Sequence, residues 1–101
     1  MFGLIVRLTT VAGARVQLIA LLGTSSANMP GCISYTIAKD ASDENVLWVT
    51  EIWESEASHD ASLALPAVKA AIPVAKPLVA HFEKVAMTVP VWGVPGGKAR
   101  Q

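Results

Sequence analysis

The sequence predicts an α+β domain of the ferredoxin-like, split βαβ kind, a four-stranded antiparallel sheet with helices on one face. Three observations lead there. Apolar residues recur with a period of two in four separate runs, which is the mark of strands. Helical spacing follows the first and the third of these runs. Turn chemistry at Met29-Pro30-Gly31 and along Asp40 to Asn45 separates the rest, giving the order strand, helix, strand, strand, helix, strand.

Taken in order, Phe2, Leu4, Val6 and Leu8 alternate with Gly3, Ile5, Arg7 and Thr9, a first strand with both faces largely apolar and therefore central in the sheet. Thr9-Thr10 offers a capping hydroxyl for a helix from Arg15 to Ala27, which carries Leu18, Leu21, Leu22 and Ser25 on one face. Pro30 disfavours helix in Met29, and Gly31 supplies the turn. The second strand runs from Cys32 to Lys39, with Ile33, Tyr35 and Ile37 on one side and Cys32, Ser34 and Thr36 on the other. Asp40 to Asn45 is a hairpin turn into the third strand, Val46 to Trp53, where Leu47, Val49, Glu51 and Trp53 share a face.

Ser55 is the natural cap of the next helix, with Glu54 and Glu56 near its positive end. That helix is expected to reach about Leu65, and Pro66 suits the first turn of another ending near Ile72. Pro73 and Pro77 should break the next stretch of chain into turns, since an interior proline costs about 3 kcal/mol in a helix. The last strand lies within Phe82 to Trp92, and Pro90, which has no N–H, should place that part at an edge. One domain to about residue 94 and a tail over 95–101 account for the chain.

A chain of 101 residues has room for one core. It is 52% hydrophobic and only 16% charged, where an ordinary soluble domain carries about 25% charged residues. So many apolar side chains cannot all be hidden in a small monomer, and the face of the sheet away from the helices should pack against the same face of a second copy, as a homodimer. Eight basic residues balance eight acidic ones and form no cluster, so the electrostatic footprint of a nucleic-acid partner is missing. Cys32 is the only cysteine; this excludes an internal disulfide and a multi-cysteine metal site, fits a reducing, cytoplasmic setting, and reads as a small core hydrophobe rather than a nucleophile. From Val16 to Ala38 the chain is uncharged, but Gln17, Thr24, Asn28, Pro30 and Gly31 interrupt it, so no membrane span is expected. A secretory signal is also not expected, because the basic segment that should precede the apolar run is replaced by the strand-like Met1 to Val6.

The Pro30-Gly31-Cys32 turn with Tyr35, the Glu51-x-Trp53-x-Ser55 strand end, and Ser58-His59 with Ser62-Leu63 and Pro66 together resemble the antibiotic biosynthesis monooxygenase family. The resemblance covers about Phe2 to Val91. It implies a dimeric α+β barrel with a pocket in each subunit between the sheet and its helices. In the oxygenase branch it implies a cofactor-free, metal-free reaction, in which a phenol, quinol or anthrone gives up its proton and the anion passes an electron to dioxygen. Such a site needs an apolar cavity, a group that accepts or shares the phenolic proton, and a shape that holds the ring.

His59 is the first candidate for the catalytic, proton-handling group, because imidazole titrates nearest neutrality; the competing possibility is a solvent-facing helix histidine beside Asp60. Trp53 is a candidate substrate-binding residue, since the family often has a tryptophan there, and the alternative is a core or dimer-seam aromatic. Glu51 shares the strand face of Trp53, where a carboxylate must find a partner; it is a second substrate-binding candidate, or else it pairs with Arg7 across neighbouring strands. Tyr35 could donate to a substrate oxygen or be an ordinary sheet tyrosine. Met29 and Trp48 read as packing, His81 as peripheral, and Leu18, Leu22, Val49 and Leu63 as the side chains that shape the pocket. Haem degradation, a rival branch, is disfavoured: the resemblance implies an asparagine in the first strand and a helical histidine, and neither Gly3 to Thr9 nor Pro66 to Ile72 supplies one. A non-enzymatic dimeric module that binds a small ligand stays open, as does an isomerase or decarboxylase acting on a phenolic ring.

Overall fold

A computed structural model describes residues 1–93; the expected tail over 95–101 lies outside the described residues. The elements run β1 (Phe2–Thr10), α1 (Arg15–Ser25), β2 (Cys32–Lys39), β3 (Val46–Trp53), α2 (Glu56–Ser62), α3 (Pro66–Ala75) and β4 (Val79–Thr88), with a single 3₁₀ turn, Lys76–Leu78, before β4. The strands form one antiparallel sheet in the order β2-β3-β1-β4, so β1 is central as its two apolar faces require.

Register decides which side chains meet. β1 pairs with β3 so that Phe2, Leu4, Val6 and Leu8 lie opposite Trp53, Glu51, Val49 and Leu47. These positions form the face under the helices. Leu4, Val6, Leu47 and Val49 are buried there with Leu18 of α1, and Leu22, Tyr35 and Ile37 pack around them. Removing each such aliphatic side chain from water contributes about 2 kcal/mol. The opposite face is mixed rather than uniformly apolar: the Arg7 guanidinium lies 5.9 Å from the Trp48 ring centroid and 3.9 Å from the Glu83 carboxylate.

Local expectations are corrected in several places. Thr10 does not cap α1; its hydroxyl donates to the Asn45 carbonyl at 3.3 Å, and α1 starts after Ala14 with no side-chain cap. The start of α1 is held instead by Arg15, whose guanidinium donates to the carbonyls of Asp43 at 2.9 Å and Val46 at 3.1 Å. Pro73 does not end α3. The carbonyl it leaves unpaired belongs to exposed Lys69, where water can take the bond, and the helix goes on to donate from the Lys76 N–H to the Ile72 carbonyl. α2 closes at Ser62, three residues short of Leu65, because the Leu63–Leu65 segment bends the chain into α3.

β4 begins at Val79 and ends at Thr88 rather than lying within Phe82 to Trp92. Its pairing with β1 runs from Val79 opposite Thr10 to Thr88 opposite Gly3, and Pro90, which has no N–H, lies just beyond that end. In β2, a register shift between Cys32 and Ser34 leaves Ile33 as an extra, unpaired residue. Cys32 thereby faces the same way as Trp53 and Tyr35, and Ile33 is pushed into solvent at 53% exposure. Period-two counting puts Ile33 with Tyr35, and one bulge reverses that assignment.

The hairpin between β2 and β3 is built by Asp40. One carboxylate oxygen accepts the backbone N–H groups of Ser42 at 3.0 Å and Asp43 at 2.9 Å, and the other accepts the Trp48 indole N–H at 2.8 Å. With Trp48 the largest influence and the two backbone donors next, the carboxyl is held down to about 2.

Candidate functional site

The site forms where β2 begins and β3 ends, beneath α1, α2 and α3. Gly31 turns the chain into β2 with φ of 82°, a conformation open to glycine at little cost. Its carbonyl accepts the Glu54 N–H at 2.9 Å, and a Cβ placed on it would sit 2.6 Å from the Cβ of Ser58. The turn before β2 and the first turn of α2 are therefore in direct contact, and only a hydrogen fits between them. Ser55 caps α2 as expected, its hydroxyl accepting the Ser58 N–H at 3.1 Å. This fixes the phase of α2 and carries His59 to the edge of Trp53.

Between these elements lies a partly open cavity of about 150 Å³. Tyr35, Glu51 and Trp53 of the sheet line it, with His59 and Ser62 of α2, Leu22, Ser25, Ser26 and Met29 from the first helix and the turn after it, Leu63 from the α2–α3 bend, and Val68, Ala71, Ile72 and Ala75 from α3. All four candidate site residues, His59, Trp53, Tyr35 and Glu51, thus come together around one space. Leu22 and Leu63 shape it as expected, whereas Leu18 and Val49 lie in the core. Met29, read from sequence as packing, is part of the wall. His81 is exposed on β4 and takes no part.

Glu51 does not pair with Arg7. In the β1–β3 register Arg7 lies opposite Trp48 and Leu4 lies opposite Glu51, so the two charges are on opposite faces of the sheet. The partner of Glu51 is its own strand neighbour on that face: the Trp53 indole N–H donates to one carboxylate oxygen at 2.9 Å, a bond in which both groups are buried. Among the described residues no other hydrogen bond reaches this carboxylate, and no arginine or lysine lines the cavity. Burial pushes the Glu51 carboxyl above its ordinary range; the Trp53 N–H and, more weakly, the charge of His59 oppose that rise.

Tyr35 is pushed up by burial and by the charges of Glu51 and Cys32, with the Ser26 hydroxyl pulling the other way. Its phenol is thus kept as an O–H donor. Cys32 is also raised, first by burial and then by Glu51, which disfavours a reactive thiolate. His59 is held on three sides: its Nδ1 is 3.0 Å from the exposed Asp60 carboxylate, Trp53 meets its ring edge-on at 5.5 Å, and Phe2 packs against it at 5.6 Å. Phe2 and Ser26 have no distinguishing signal in the sequence. The wall from α3 did have one, since Val68, Ala71, Ile72 and Ala75 recur at helical spacing.

An α+β sheet with an apolar cavity that holds a carboxyl, a phenol and an imidazole beneath its helices defines the class of small ferredoxin-like pocket proteins. The chain belongs to the antibiotic biosynthesis monooxygenase family, whose model matches residues 1–74. A solved Chloroflexus aurantiacus protein assigned by name to that family is 44% identical, with 91% of this chain and 94% of that one covered and a TM-score of 0.88. Likewise assigned proteins of Deinococcus radiodurans (24% identity, 93% and 96% covered, TM-score 0.76) and Nitrosomonas europaea (14%, 91% and 100%, 0.81) share the fold. No curated protein matches this sequence.

The burial of Glu51 has a measurable effect on stability. Because its carboxyl titrates higher in the folded chain than in the unfolded one, its favourable contribution is fully present below the ordinary value of 4.5 and is lost as pH rises through the raised value. Glu51→Gln removes that ionisation and keeps an oxygen for the Trp53 N–H. Urea unfolding at about pH 4 and about pH 7 should show the stability of the variant gaining on the wild type at the higher pH; an unchanged difference would mean that the carboxyl is not destabilised by burial.

Proposed function

We propose that the cavity binds a phenolic or quinol-type aromatic and that the protein catalyses its cofactor-independent monooxygenation by dioxygen. The observation that carries this reading is a largely apolar cavity with Tyr35 and Glu51 both among its lining residues. About 150 Å³ is the size of a cavity that holds a single benzene ring. A one-ring quinol matches that size, and a three-ring anthrone would extend beyond the cavity.

For a hydroquinone the reaction balances without an added reductant. One oxygen atom of dioxygen enters the ring, the other leaves as water, and the product is the hydroxyquinone, the electrons coming from the quinol itself. Trp53, Tyr35 and Glu51 would contact the substrate, with Tyr35 donating to the developing oxyanion. His59, at the rim and paired with Asp60, would pass the substrate's proton between the cavity and solvent. The family membership supports an oxygenase over an unrelated activity on this fold.

Oxygen uptake with a panel of hydroquinones and anthrones measures this directly. One-ring and two-ring quinols should be consumed with stoichiometric oxygen, and His59→Ala should lower kcat/KM by about tenfold or more. A flat oxygen trace across the panel would overturn the assignment, and product formed without oxygen would indicate an isomerase or decarboxylase.

A homodimer is part of the same proposal. Phe82 and Met87 lie on the helix side of the sheet by register yet are 50% and 55% exposed, because the helices sit over β1 to β3 and leave β4 bare. Val85, Val89, Val91 and Trp92 extend this exposed apolar strip, more than an isolated small domain ordinarily shows. A second copy packed on the open sheet face and along β4 would cover it. Sedimentation equilibrium at micromolar concentration should give twice the chain mass of 10.6 kDa; a single-chain mass there would exclude the dimer.

A further inference from the structure

Glu51 is the one charged side chain that the sheet buries beneath the helices, and its hydrogen bonding is incomplete. A carboxylate offers about four lone-pair sites. One of its oxygens takes the Trp53 N–H at 2.9 Å, and among the described residues the other receives no donor. An ionised oxygen left without a donor in an apolar space is destabilised. Leu4 and Tyr35 lie beside Glu51 on the neighbouring strands and Trp53 on its own, and the cavity that Glu51 lines is a direction from which a further donor can come without moving the sheet.

We infer that Glu51 is the first acceptor of the substrate's hydroxyl proton, with His59 acting after it as the station that returns the proton to solvent. This rests on the phenol-binding reading above and goes further by assigning the base. The substrate O–H bond breaks, its electron pair stays on the ring oxygen, and a new O–H bond forms on Glu51. The negative charge moves from carboxylate to phenolate, where the Tyr35 hydroxyl can donate to it, so no net charge is added to the cavity.

The groups that face Glu51 favour this division of labour. From β2, Tyr35 and Cys32 are both held in their protonated forms, so neither competes as a base. From α2, His59 supplies a charge that favours the carboxylate, and its Nδ1 is already engaged by Asp60. α1 and α3 present only neutral side chains to the cavity. The burial that raises the Glu51 carboxyl also narrows its gap to a phenol, which is the direction that makes proton transfer more efficient. Trp53 is then a positioning residue, fixing one oxygen and turning the other to the ligand.

The test uses the intact protein with 4-fluorophenol as a single-ring probe, followed by fluorine NMR between about pH 4.5 and 8, and with 1,4-hydroquinone for turnover. A neutral phenol donates best to an ionised Glu51, so wild-type affinity should rise with pH as the carboxyl ionises. Glu51→Gln should bind more weakly and without that pH dependence, Glu51→Asp should restore part of it, and His59→Asn should keep it. In turnover, Glu51→Gln should lose the acid limb of kcat/KM and fall by about 100-fold. Retention of the wild-type pH dependence in Glu51→Gln, with cooperative urea unfolding to show that it is folded, would overturn the assignment; so would its loss in His59→Asn. If wild type binds the probe with the expected pH dependence but consumes no oxygen with any quinol, the monooxygenase reading fails while Glu51 stands as the proton acceptor.

Discussion

The hydrogen bond from the Trp53 indole to the Glu51 carboxylate is the contact on which the site depends. Both residues lie on the helix-facing side of β3, two positions apart, and both are buried, at 1% and 9% exposure. A carboxylate in such a place needs a donor. Trp53 supplies one from the same strand, and no arginine or lysine lines the cavity. The result is a carboxyl raised above its ordinary range by burial but kept from rising further by a single directed N–H.

The rest of the fold holds that pair under cover. Ser55 sets the phase of α2, Gly31 lets the β2 turn touch it, and His59 consequently closes against the edge of Trp53. Arg15 ties the start of α1 to the β2–β3 hairpin, so that the helix carrying Leu22 and Ser25 is anchored to the sheet that carries Glu51. Distant contacts thus fix the dimensions of a cavity that no single element could define. The cavity lies over β2 and β3, and β4, at the far edge of the sheet, keeps an exposed apolar strip.

Much of this was legible in the residues. The element order, the central position of β1 and the convergence of Tyr35, Glu51, Trp53 and His59 follow from period-two patterning, from Ser55 as a cap and from Pro66 as a helix start. The features that stayed hidden depended on tertiary pairing. Alternation alone cannot reveal the bulge that ejects Ile33 and turns Cys32 inward, nor where the pairing of β4 with β1 starts and stops. The Arg7–Glu51 pairing failed for a related reason: odd and even positions of adjacent strands match only in a known register, and the register placed Leu4 opposite Glu51. Pro73 stayed helical because its missing bond faces water, which a propensity scale does not register.

The ionisation of Glu51 itself is the most direct test of this account. Carbon NMR of the side-chain carboxyl, followed through a pH titration of the ligand-free protein, should give a midpoint above the ordinary 4.5, and Trp53→Phe, which removes the N–H, should move it higher still. A wild-type midpoint at or below 4.5 would contradict it, because a carboxyl that ionises as easily as one in water is not enclosed in an apolar cavity waiting for a donor.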